Sequence, residues 1–327
     1  MEAEASQPTA RRVTTADVAR ASGVSRATVS YVLNDVPGRA ISAATKEIVL
    51  DTARRLGHVP HGPARSLRLG RSSIVLALVR DYTIGYIADR LIEELDRALA
   101  ARGYILMVHR YDENLKPLSE LWGLVAPELI VSMGGLPVPE KPSAASPVKV
   151  VGVQGIFPHR KAGEMQVEYL HSRGHRSMGY AFLDNPTVAL IADDRLEGAR
   201  DACARLGLAP PVVQRIDISD VDSAFAAIDA WRSAADPITG VAAHNDETAL
   251  ILVSALQAKG LTAGTDLAVI GVDNIPLARI GITTVEINVD GYTEAIVERV
   301  MRAVDGHAAT DVAEREDFLK LVVRDSA

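Results

Sequence analysis

Residues 14–34 read TTADVARASGVSRATVSYVLN, and this spacing predicts two short helices around a sharp turn. The Thr15 hydroxyl is placed to cap a first helix over residues 16–21, and Ser25 to cap a second over residues 26–33. Gly23 stands where the turn needs a backbone angle that a side chain disfavours. Val18, Val24, Val29 and Val32 form the apolar face, and the small Ala19 lets the helices approach. A helix–turn–helix of this kind lays its second helix in the DNA major groove. An ordinary helical hairpin satisfies the same spacing, so the surrounding chain has to decide between the two.

Working outward, residues 35–38 (DVPG) signal a turn. Ser42 then caps a third helix over residues 43–56, with Ile48, Val49, Ala53 and Leu56 as its apolar stripe and Gly57 as its stop. Residues 1–12 read as a disordered tail, 13–58 as the helix–turn–helix head and 59–72 as a hinge. In the hinge, Pro63 opens a helical stretch over residues 64–69 that is too short to persist alone in water. Arg65, Leu67 and Arg68 are unusual choices for an inert spacer, which favours a hinge helix formed on DNA over a plain linker.

Charge is distributed in the same sense. Residues 1–72 hold eleven Arg or Lys against six Asp or Glu, a balance of +5. With the whole chain at −7, residues 73–327 carry −12. A basic head on an acidic body points to the head alone as the polyanion-binding part. The 327 residues, 48% hydrophobic and 24% charged, have an ordinary globular composition. No apolar run reaches the roughly 18 residues of a membrane span, the N-terminus has no signal core, and a single cysteine, Cys203, fits a reducing cytoplasm.

From Ile74 onward the pattern becomes strand–helix alternation. Strands are predicted at residues 74–79, 104–108, 129–132, 148–153, 177–182, 212–216, 240–243 and 267–271, with helices such as 86–101, 163–172, 193–206 and 246–259 between them. This predicts parallel sheets covered by helices, arranged as two α/β lobes. Ligands in such folds bind beyond the carboxyl ends of the strands.

The whole pattern resembles the LacI/GalR family of transcriptional regulators. The head carries DVARASGVSRATVSYVLN (17–34), ISAATKEIVLDTARRLGHVP (41–60) and ARSLR (64–68). The body carries GHRSMGY (174–180), DDRLEGARDACARLGL (193–208), HNDETA (244–249), LAVIGVDN (267–274), TTV (283–285) and LVVRDS (321–326) in order. The resemblance implies an all-α head of three helices plus a hinge helix, joined to a two-lobed effector domain like a periplasmic binding protein. Lobe one spans about residues 73–155 and 286–310, and lobe two about 156–285 and 311–327. It further implies a dimeric repressor of a metabolic operon, released or recruited by a small-molecule effector, with a sugar as the family expectation.

By the same resemblance Arg26, Ala27 and Tyr31 face base edges. A bidentate Arg26–guanine contact gives about 1–3 kcal/mol of discrimination, and Tyr31 departs from the family's common arginine. Thr15, Ser25, Thr28 and Asn34 are assigned to phosphates, which position without reading sequence. Leu67 with its symmetry mate wedges into a central CG step of a palindrome from the minor groove, flanked by Arg65 and Arg68. In the effector cleft the resemblance places Arg195, Asn245, Asp273 and Phe157, with Asp81, Tyr82 and Tyr86 on the other lobe. Asp246 is assigned either to the ligand or to a helix cap.

Departures from the family concentrate in the first lobe. Residues 84–87 read Ile-Gly-Tyr-Ile where the family has Asn-Pro-Phe-Phe, and Val151-Gly152 replaces its Val-Asp strand ending. A non-sugar cleft therefore stands as the alternative, as does a ligand-binding protein whose head contacts other proteins. His171 and His175 are four apart, but Gly174 interrupts the helix between them, so no metal is expected. Glycine-rich phosphate loops and nucleophile elbows are absent, so no cofactor and no enzymatic activity are expected.

Overall fold

The computed structural model describes residues 13–33, 40–58, 72–80, 86–111, 118–133, 148–153, 157–185, 189–307 and 316–327. The chain divides into two compact units, Met1–Ser72 and Ser73–Ala327.

The first unit contains α1 (Thr15–Ser22), α2 (Arg26–Leu33) and α3 (Ala43–Leu56). The cap of α1 is Thr14 and not Thr15: its Oγ1 accepts from the Asp17 N–H at 3.4 Å while the Asp17 carboxylate accepts from the Thr14 N–H at 2.9 Å. This reciprocal box satisfies two donors that the helix leaves open, and it begins the helix one residue earlier than the hydroxyl of Thr15 suggests. Gly23 at φ 71° and Gly57 at φ 68° close α1 and α3 in the left-handed region. Val18, Ala19, Val29, Val32, Val49 and Ala53 make the small core. Ile48 is not part of it; it is 52% exposed. The stripe runs through Val49, Thr52 and Ala53, about 100° around the helix from Ile48.

The second unit holds two sheets. The first has order β2–β1–β3–β4, from β1 (Ile74–Arg80), β2 (Ile105–Tyr111), β3 (Leu129–Ser132) and β4 (Lys149–Gly152), all parallel. Helix α4 (Tyr86–Ala100) covers it with Leu91, Leu95 and Leu99, a repeat of one side chain per turn, and α5 (Leu118–Val125) follows β2.

The second sheet has order β10–β9–β8–β7–β5–β6. Its strands are β5 (Met178–Leu183), β6 (Val212–Ile216), β7 (Gly240–Ala243), β8 (Ala268–Asp273), β9 (Thr283–Ile287) and β10 (Leu319–Val322). The parallel expectation holds for all but β10, which runs antiparallel to β9 at the sheet edge. Helices α6 (His159–Ser172), α7 (Ala189–Arg205), α8 (Val221–Arg232) and α9 (Asp246–Ala258) connect these strands. After β9 the chain returns to the first sheet, where α10 (Val289–Val304) packs beside α4 through Ile296, Val300 and Met301.

Helices α6 and α7 cross with almost no space between them. A Cβ on Gly163 would lie 1.9 Å from the Arg195 carbonyl oxygen, and one on Gly198 would lie 1.8 Å from that of Arg160. In an open helix, glycine to alanine gains roughly 0.5–1 kcal/mol. Here the sign reverses, because the added methyl meets backbone that cannot rotate away. Gly163→Ala and Gly198→Ala are each expected to lower stability by about 1–3 kcal/mol in urea unfolding, and unchanged or raised stability refutes the tight crossing.

Candidate functional site

On the head, Ser25 caps α2: its Oγ accepts from the Thr28 N–H at 3.0 Å and lies 2.9 Å from the Thr28 Oγ1. This capping leaves Arg26 and Ala27 exposed on the first turn, while Tyr31 is half-buried and Thr15 lies half-buried at the start of α1. Asn34, Arg65, Leu67 and Arg68 lie outside the described residues.

On the body, a cavity of about 350 Å³ lies between the two sheets. Its wall is built by the carboxyl ends of strands, with Val79 of β1, Met133 after β3 and Val153 after β4 on one side. Leu183 of β5, Ile218 after β6, His244 and Asn245 after β7, Asp273 of β8 and Ile287 of β9 face it from the other sheet. This is where open α/β sheets gather ligands, because side chains and backbone groups emerge there without a following strand residue.

Arg195 is the centre of the polar side. It is 4% exposed; one terminal nitrogen donates to the His244 carbonyl at 2.6 Å and the other to Asp273 Oδ1 at 3.0 Å. Its Nε has no partner. Burial pushes the Asp273 carboxyl up from its ordinary value and the Arg195 charge pulls it back. Asp273 sits at φ 110° and Asn274 at φ 51°, a left-handed pair that costs free energy and directs the carboxylate at the guanidinium.

Asn245 caps α9, its Oδ1 accepting from the Thr248 N–H at 2.9 Å, and its Nδ2 donates to Glu247 Oε2 at 2.5 Å. Burial first, then the Asp273 charge, raises the Glu247 carboxyl. Burial and the neighbouring Arg195 charge hold the His159 and His244 imidazoles well below their usual range, so both stay neutral. Each has a buried Nδ1 without a partner.

Of the residues assigned to the cleft from sequence, Tyr86, Phe157, Arg195, Asn245 and Asp273 line the cavity, and Asp81 and Tyr82 lie outside the described residues. Asp246 does neither of the things assigned to it. It is fully buried beneath the cavity, its Oδ2 accepts from the Ile275 N–H at 2.9 Å, and the cap is Asn245 instead. A Cβ on Gly271 would meet Asp246 Oδ1 at 2.2 Å, so the carboxyl fills the space that glycine leaves.

Glu247, His159, His244 and Asn185 line the cavity without having been singled out in the sequence. The signal for His244 was present, as the residue directly after a predicted strand. His159 falls before the predicted start of α6. His175 is structural, with Nδ1 2.9 Å from Thr239 Oγ1. Among the described residues no group of three or more His, Cys, Asp or Glu is placed to hold a metal ion, and no helix is long and apolar enough to cross a membrane.

The chain thus combines a three-helix head, with an exposed first turn on α2, and a two-sheet body with a cavity between the sheets. The sequence profile of bacterial regulatory proteins of the lacI family matches residues 14–61, and that of the periplasmic binding protein-like domain matches residues 167–327. The HTH-type transcriptional repressor PurR of Vibrio cholerae is 27% identical over 279 residues, covering 80% of this chain and 82% of that protein. Catabolite control protein A of Priestia megaterium is 27% identical over 286 residues, covering 81% and 84%. The solved lac repressor dimer bound to operator and the anti-inducer ONPF aligns with a TM-score of 0.73 at 19% identity, over 97% of this chain and 99% of that one. The head carries the lacI-family domain of bacterial regulatory proteins, and residues 167–327 the periplasmic binding protein-like domain. The chain is a DNA-binding transcriptional regulator and not an enzyme. Regulators of this family bind DNA and a small-molecule effector, and both parts are present here.

The buried carboxyl under the cavity has a measurable consequence. Burial, reinforced by the Asp273 charge, pushes Asp246 up to about 7, against about 3.9 in an unfolded chain. A raised carboxyl favours the protonated fold, so its contribution is complete below pH ~4 and is lost as pH rises through ~7. The neutral His159 and His244 act in the opposite sense, weakening the fold as pH falls below about 6.5. They are common to both proteins and cancel in a comparison with Asp246→Asn. Urea unfolding from pH 4.5 to 8 is expected to show the variant gaining on the parent as pH rises; parallel curves refute a raised Asp246.

Proposed function

We propose that this chain is a cytoplasmic, homodimeric repressor that reads a palindromic operator with a central CG step and changes its DNA affinity when a small molecule occupies the interlobe cavity. The observation that carries the DNA half is the capped start of α2, where Ser25 and Thr28 hold each other and leave Arg26 and Ala27 exposed. The first turn of a recognition helix is the part that reaches base edges. Two heads related by a two-fold axis read two half-sites, which is why a palindrome is expected. The aligned lac repressor is itself a dimer bound to operator.

In this scheme Arg26 supplies the main base contact, Ala27 an apolar one and Tyr31 the third. Thr15, Ser25, Thr28 and Asn34 position the helix on phosphates. Leu67 wedges into the central step with Arg65 and Arg68 beside it, which requires unstacking offset by the contacts a bent duplex allows. The cavity half rests on Arg195 of α7, which reaches the ends of β7 and β8 and bonds there to the His244 carbonyl and to Asp273.

Selection of bound sequences from random duplex DNA tests the reading. A palindrome with a CG centre is expected, and binding without sequence preference or symmetry overturns it. Arg26→Ala is expected to relax preference at one position per half-site by about 1–3 kcal/mol. Leu67→Ala is expected to weaken the selected site sharply and nonspecific DNA little at fixed salt, and equal loss on both refutes the wedge.

A further inference from the structure

The two sides of the cavity are chemically unlike. Against the first sheet, Val79, Ile87, Leu91, Met133 and Val153 form an aliphatic wall, to which Tyr86 and, from α10, Tyr292 add the two phenols among the described residues. Against the second sheet stand Arg195, Glu247 and Asp273. A polyol enclosed here turns hydroxyls to the aliphatic wall, where their bonds to water are lost and not returned. Each such group lowers affinity roughly tenfold.

The charges on the polar side are also unbalanced. Arg195 is the one Arg or Lys facing the cavity among the described residues, and both its terminal nitrogens are engaged, by the His244 carbonyl and by Asp273. Two of its five N–H donors are thus committed within the protein, and its charge is shared with Asp273. Glu247 accepts a side-chain hydrogen bond from Asn245, and the cation that acts on it, Arg195, is already paired with Asp273. The lining thus carries two carboxylates against one guanidinium. Both imidazoles beside them are neutral, and burial, then the Asp273 charge, raises the Glu247 carboxyl against the pull of Arg195.

We infer that the effector is a small amphipathic amine, its ammonium set against Glu247 and Asp273 and its apolar body against the wall of Val79, Ile87, Leu91 and Met133. This rests on the reading of the cavity as the effector site and adds the ligand's chemical class.

Three probes share one indole body and differ only in the head: tryptamine is cationic, tryptophol neutral and indole-3-acetate anionic. Calorimetric titration of each, and of glucose, into the full-length protein at fixed salt tests the class. Tryptamine is expected to bind about tenfold or more tighter than tryptophol, indole-3-acetate weaker again, and glucose not measurably. Glu247→Gln is expected to bring the tryptamine-to-tryptophol ratio to about one while tryptophol binding is kept. A purely structural role for Glu247 lowers both together. Should the variant fail to fold, the ratio in the parent protein still decides the head.

Equal or tighter binding of tryptophol or indole-3-acetate overturns the ammonium head, and preferential binding of glucose overturns the apolar body. No binding by any of the four overturns the class. Anisotropy of a labelled selected operator with and without tryptamine is read separately. Cavity binding that leaves DNA affinity unchanged refutes the regulator mechanism while leaving the ligand class standing.

Discussion

The crossing of α6 and α7 at Gly163 and Gly198 is the constraint on which the cavity depends. The Arg195 carbonyl sits against Gly163, so the arginine side chain leaves its helix at the point of closest approach. From there it reaches the ends of β7 and β8 and bonds to both. A wider crossing moves the guanidinium away from Asp273 and leaves two buried charges without each other. Breaking such a pair costs far more than the pair contributes over a hydrophobic replacement. The unpartnered Arg195 Nε and the left-handed Asp273 are further costs. This arrangement is poorly suited to stability and well suited to holding charge in place beside a ligand.

The floor beneath the polar side follows the same logic. Gln166, fully buried on α6, donates from its single amide nitrogen to the carbonyls of Ala243 at 2.8 Å, Ile270 at 3.0 Å and Gly271 at 3.2 Å. It thereby fixes the strand ends from which His244 and Asp273 emerge. Asp246 anchors the Ile275 N–H on the other flank. Glu247 lies in the first turn of α9, where the helix dipole favours an anion and works against the burial that raises its carboxyl.

Much of this was legible in the sequence, for identifiable reasons. The head and the first eight strands follow from local signals: caps, glycines and β-rich runs that do not need tertiary information. Strands β9 and β10 carry threonine and charge at alternating positions and read weakly alone; they become strands because each pairs with a neighbour distant in sequence. Ile48 was misplaced because an apolar residue one position off the stripe looks periodic until the helix phase is known. In residues 244–247 the side chains divide among cavity, cap and floor within one turn. Composition could not say which of Asn245, Asp246 and Glu247 goes where. The choice is made by Gly271, whose missing Cβ opens a hole that only Asp246 fills.

The asymmetry of the cavity also bears on how occupancy reaches the DNA. A ligand that touches only the Arg195 side binds the separated and the closed arrangement of the two sheets equally well, and such a ligand shifts no equilibrium however tightly it binds. Differential affinity has to come from contacts made only when the first sheet approaches, and the described first-sheet wall is mostly apolar. Covering about 100 Å² of apolar surface contributes about 2.5 kcal/mol at the usual coefficient of about 25 cal/mol per Å². That lies within the roughly 1–3 kcal/mol typical of allosteric coupling. On the proposed reading, the polar side therefore sets which head group is accepted, and the largely aliphatic wall sets how strongly acceptance is transmitted.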